Sequence, residues 1–126
     1  MINVLNLSIW DRAFSLPVEY DCYEGETIIP AQINALESFI AHEEWIINAK
    51  KQVEAYCRES VIEDDKNPKK DNIFSYVRPV SIFVKHDSIH PRVALMCDYR
   101  YDIEHGLAVV FSSEGKVTVG IQDIIL

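Results

Sequence analysis

The chain has 126 residues, 48% hydrophobic and 25% charged, with 20 acidic side chains against 12 basic for a formal charge of −8. That length is enough to bury a core without disulfides or a structural metal, and the composition excludes a disordered or fibrous chain. The negative balance repels phosphate backbones and anionic membranes, which argues against nucleic acid or a lipid surface as partner.

The opening MINVLNLSIWDRAF is interrupted by Asn3, Asn6 and Ser8, so it reads as neither secretory signal nor membrane span. The expected location is the cytoplasm. Apolar residues are dense to Trp10, and Leu16, Val18, Tyr20 and Cys22 then alternate with polar ones. Two N-terminal strands follow, with a turn beginning near Asp11-Arg12 and Pro17 placing the second strand close to a sheet edge.

Past the EGET segment the period changes. Pro30 suits the first turn of a helix, and Leu36, Phe39, Ile46, Ala49, Val53 and Tyr56 recur at intervals of three, four and seven. One long amphipathic helix is expected over Pro30 to Ser60, with Glu54 and Arg58 at a supportive spacing on its outer face. The charged run Glu63 to Asn72 holds a proline and no apolar residue, and reads as a solvated loop inside a single domain spanning 1–126.

From Val80 to Leu126 four alternating runs predict an antiparallel meander. They are Val80, Ile82 and Val84; Val93 to Tyr101; Leu107, Val109 and Phe111; and Val117, Val119 and Ile121. Gly115 in SSEGK supplies positive φ to the clearest hairpin turn. The fold class that results is α+β: a mainly antiparallel sheet, from the C-terminal meander and the N-terminal strands, packed on one long helix.

Motifs for catalysis are sparse. The four glycines make no phosphate-binding loop or dinucleotide fingerprint, and AHEEWI lacks the second histidine of a zinc protease helix because Ile46 stands in its place. Cys22, Cys57 and Cys97 are odd in number and widely spaced, and read as small buried apolar side chains. The segment Asp98 to Phe111 concentrates Asp102, Glu104 and His105 before Gly106. A hairpin turn accounts for Asp102 and Gly106. A metal site would need a further ligand, and His86, Asp87 or His90 would have to come from the opposite end of the same strand.

The order CDYRYDIEHGLAVVF, SSEGKVTVG, GIQDIIL resembles a family of small, mostly bacterial domains of unknown function, whose chains end in an Asp-x-Glu-His-Gly turn and a Val-Gly-x-x-Asp-Ile strand. The resemblance covers about Arg92 to Leu126 and rests on Asp102, Glu104, His105, Gly106, Gly120 and Asp123. Members look like immunity proteins beside polymorphic or contact-dependent toxins. The resemblance implies no catalytic role and no cofactor. With the charge of −8, it implies a non-enzymatic protein that occludes a basic toxin domain through acidic and tyrosine-rich patches. The candidate contacts are Glu24, Glu26, Glu63, Asp64, Asp65, Asp98, Tyr99, Asp102, Glu104 and His105. Two other expectations stand beside it: a metal-dependent enzyme or metal-binding domain built on Asp102, Glu104 and His105, and a structural domain whose acidity means only solubility. Oligomeric state is open.

Overall fold

The computed structural model describes residues 1–60 and 72–126. Six strands form one sheet in chain order: β1 Val4–Ile9, β2 Arg12–Tyr20, β3 Val77–Val84, β4 Arg92–Tyr99, β5 Leu107–Ser112 and β6 Val117–Gly120. All neighbours are antiparallel except β2 and β3, which pair in parallel over Val18–Tyr20 and Ile82–Val84. That parallel step needs a crossover, and helices α1 Pro30–Ala41 and α2 Glu43–Ser60 lie within it. The fold is α+β, as the patterning predicts.

The β1–β2 connection is a two-residue turn at Trp10 and Asp11, both at positive φ (48° and 71°), the twist a tight hairpin requires. Neither is glycine. The Trp10 indole offsets the strain by donating from Nε1 to Ile46 O at 2.9 Å in the core. Pro17 lies one strand in from the edge, just before the parallel ladder with β3 begins at Val18, where its missing N–H leaves no gap.

Where one helix was expected, there are two. His42 Nδ1–H donates to Ser38 O at 2.7 Å, taking the carbonyl that the backbone N–H of a continuing helix would use. The His42 N–H turns instead to Phe39 O, the backbone leaves the helical region (φ −114°, ψ 71°), and the imidazole stacks on Trp45 at 4.4 Å. The apolar stripe crosses the break in phase. Leu36 and Phe39 of α1 and Ile46, Ala49, Val53 and Cys57 of α2 all bury against the sheet, joining Leu16, Val18, Ile82, Leu95, Val109 and Phe111.

Helix α1 is fixed at its start by Gln32, which is fully buried and fully bonded. Its Oε1 accepts from Ile29 N, and its Nε2 donates to Asp21 O and Val84 O, fastening the helix to the ends of β2 and β3.

Strands β4 and β5 are buried on both faces. Away from the helices, Phe83, Ala94, Met96, Ala108 and Val110 form a second apolar cluster closed by Ile125 from the C-terminal segment. Val80 joins this cluster rather than the face of Ile82 and Val84, because the ladder shifts between Pro79 and Ser81.

Candidate functional site

The Arg100–Gly106 segment joins β4 to β5 at one end of the sheet, and its Asp102 and His105 are first of all turn architecture. Asp102 Oδ1 accepts the backbone N–H of His105 at 3.2 Å and contacts His105 Nδ1 at 3.0 Å, while Gly106 N donates to Asp102 O. Gly106 sits at φ +63°, and a β-carbon there would fall 2.6 Å from Gln122 Nε2 and 2.9 Å from Cys97 O. Gln122 occupies that space because its Nε2 donates to Cys97 O at 3.0 Å, and its backbone N–H donates to His105 O. The two sequence motifs that end the chain therefore meet: the 3-10 turn Gln122–Ile124 holds the Asp102–Gly106 turn from behind.

Electrostatics follow the geometry. The His105 backbone N–H, and then its side chain, hold the Asp102 carboxyl below its ordinary value. Asp102 in turn raises His105 through the hydrogen bond and its charge, with smaller contributions from Glu104 and Asp123.

With Asp102 and His105 engaged with each other, the turn presents Ile103 and Glu104 outward. Ile103 is 86% exposed, the most exposed large apolar side chain among the described residues. Beside it lies a groove of about 480 Å³ lined by Phe74, Ser75, Tyr76, Arg78, Asp98, Tyr99 and Arg100. Arg78 Nη2 donates to Asp98 Oδ2 at 2.7 Å across its rim, an exposed pair of small energetic weight. Arg100 stands 5.9 Å over the Tyr101 ring, and its N–H donates to Tyr76 O. Burial pushes the Tyr76 hydroxyl up to about 12, so it stays a neutral hydroxyl at neutral pH.

Of the ten expected contact residues, Asp98, Asp102, Glu104 and His105 are brought together here. Tyr99 is not available as a surface contact: it is 2% exposed, packed edge-on to Tyr101 and beside Tyr56, because its position in β4 faces the helix layer. Glu24 and Glu26 lie at the other end of the sheet, in the loop after β2. There Glu26 Oε1 accepts from Tyr23 N, and Glu26 Oε2 is 3.8 Å from His86 Nδ1. Glu63, Asp64 and Asp65 lie outside the described residues, as does most of the expected loop Glu63 to Asn72.

The metal reading needs ligands that do not converge. His86 and His90 lie before the start of β4, while the Asp102 turn follows its end. Asp87 is used locally, its Oδ1 accepting from Ile89 N and His90 N. Among the described residues no group of three or more His, Cys, Asp or Glu is placed to hold a metal ion. Sequence reasoning missed Ile103, whose signal was an isoleucine inside an otherwise polar turn, and Gln122, which carries no signal until it is seen against Gly106.

Residues 3–126 match the model of a family described as a domain of unknown function (DUF6985), and the chain belongs to that family. Comparison with curated proteins and with solved structures found no match. Among the described residues no helix is long and apolar enough to cross a membrane.

Proposed function

We propose that this member of the DUF6985 family is an immunity protein, which binds a cognate bacterial toxin domain in the cytoplasm and neutralises it by occlusion, without catalysis. The observation that carries the reading is the turn at Asp102–Gly106, held by Gln122 and lifting an 86% exposed Ile103 beside an aromatic-lined groove. A loop already fixed in one conformation loses little entropy on docking, and an exposed isoleucine next to Tyr76 and Phe74 is the kind of anchor that dominates interface energetics. Around it Glu104 and Asp123 add negative charge to a chain already at −8, which favours a basic partner surface and speeds encounter with it. The same field disfavours nucleic acid and anionic lipid as partners.

The test is capture from the source cell's lysate with this chain as bait, at low and moderate salt, followed by expression of any retained protein in a test bacterium. Growth arrest relieved by co-expression of this chain supports immunity, and loss of capture as salt rises assigns the association to the acidic surface. A retained protein that is harmless, or an arrest that this chain does not relieve, refutes it.

A further inference from the structure

At the other side of the sheet, three strands from the Asp102 turn, β1 is an edge: among the described residues no strand pairs with its outer side. The hydrogen-bond parity of that edge follows from the hairpin. Val18 N donates to Asn3 O, and antiparallel pairs alternate, so Leu5, Leu7 and Ile9 direct their backbone groups to β2. Val4, Asn6 and Ser8 therefore direct N–H and C=O outward. Natural edges are usually blocked by a charge, a proline or a bulge. Here the stretch Met1 to Trp10 contains no charged residue and no proline, in a chain that is 25% charged, and the β1–β2 register runs unbroken from Val4 to Ile9.

The side chains beside this edge are also incompletely covered. Leu5 and Leu7 are only half-buried, and with Phe39, Ile40 and Ile46 they line a groove of about 340 Å³ between β1 and the helices, which Asn6, Ser8 and the exposed Glu43 also border. Val4 is 56% exposed on the opposite face.

We propose that β1 is a self-association edge, pairing antiparallel with β1 of a second copy about a two-fold axis at Asn6 to give one sheet continuous through both molecules. That register opposes Val4 to Ser8 and Asn6 to Asn6, all three outward-facing positions, and forms about six inter-chain hydrogen bonds. Leu5 then faces Leu7 of the second copy in the close, non-hydrogen-bonded pairs, beside the two grooves. A second copy is the occupant this strand fits. A two-fold contact needs a self-complementary patch, and in a molecule of charge −8 this ladder brings no like charges together. The strand is short, so the association is expected in the micromolar range.

The experiment is sedimentation of the full chain from low micromolar to near-millimolar concentration, with amide exchange followed over the same range. A monomer–dimer equilibrium is expected, with the Asn6 and Ser8 amides gaining protection as concentration rises while those of Leu5 and Leu7 stay protected throughout. Asn6→Pro removes only an outward donor and spares the ladder with β2, and Asn6→Lys sets two cations opposite each other. Each should weaken the dimer at least about tenfold, while Asn6→Thr retains it. Circular dichroism checks that each variant folds, and the wild-type exchange pattern decides the matter if one does not. A monomer at every concentration with fast Asn6 and Ser8 exchange overturns the proposal. So does protection of those amides only when a different protein is added, or a dimer indifferent to both variants.

Discussion

Gln122 and Gly106 interlock: the Gln122 side-chain amide fills the space a β-carbon on Gly106 would need, 2.6 Å away, while reaching Cys97 O at 3.0 Å. Gly106→Ala therefore meets a backbone oxygen and a bonded amide as well as the cost of a left-handed φ. A loss of about 3 kcal/mol in urea unfolding is expected. Gln122→Ala relieves part of the clash but removes the side-chain hydrogen bond to Cys97 O, so the double variant should be less destabilised than the sum of the two.

Gly115 stands in the same relation to Trp45. Its φ is +86°, and an added β-carbon would fall inside the Trp45 indole, which itself stacks on His42 and lies 6.4 Å from Phe111. Gly115→Ala should cost about 2 to 3 kcal/mol, and in a Trp45→Ala background only the backbone part, about 1 kcal/mol, should remain. Additive losses in chemical denaturation would show that the indole does not press on this turn.

The Asp102–His105 contact gives the turn a pH window. His105 is raised above the ordinary 6.5, so its contribution is complete below pH 6.5 and is lost as pH rises through the higher folded value. Asp102 is lowered below 3.8, so its contribution is present above that pH and is lost as pH falls through the lower folded value. The support is therefore fullest between about pH 4 and 6.5. Titration of the His105 ring by NMR should give a midpoint above 6.5 that falls toward it in Asp102→Asn; an unchanged midpoint would remove the contact.

Burial raises the Cys57 thiol to about 11, despite a hydrogen bond with Tyr99 that lowers it, and raises Cys97 further. Cys22, half-buried in the loop after β2, is raised more modestly by burial with Glu26 and Asp21 nearby. A thiol reagent at neutral pH should modify Cys22 slowly and leave Cys57 and Cys97 untouched until the protein unfolds. Fast reaction of more than one thiol in the native state would contradict this packing.

For the proposed immunity role, Ile103→Asp should weaken capture of the toxin domain by about 2 kcal/mol, roughly thirtyfold. Its unfolding free energy should stay within about 0.5 kcal/mol of the parent, because the side chain touches little of the core. Glu104→Lys should act chiefly by slowing association, an effect that shrinks as salt is added. Capture unaffected by either change would move the interface away from this turn.

Periodicity located the strands and the helical region of this protein, though not all of their ends. Side chains alternate along a half-buried strand and recur every three or four residues on a helix, so Val93 to Tyr99, Leu107 to Phe111 and Val117 to Val119 are visible without coordinates. The expected runs also include Tyr101 and Ile121, which lie past the ends of β4 and β6, and β3 begins at Val77 rather than Val80. The turn residues Gly106 and Gly115 are visible for the same local reason, since only their backbone needs positive φ. The break at His42 was not. Phe39 and Ile46 are seven residues apart, two helical turns, so the stripe stays in phase across it, and the cause is a ring nitrogen bonding Ser38 O. The face chosen by Val80, the burial of Gln32 and Tyr99, and the meeting of Gln122 with Gly106 were likewise decided by tertiary structure. Each depends on which distant backbone group or cavity stands opposite the side chain, and no local pattern of residues carries that information.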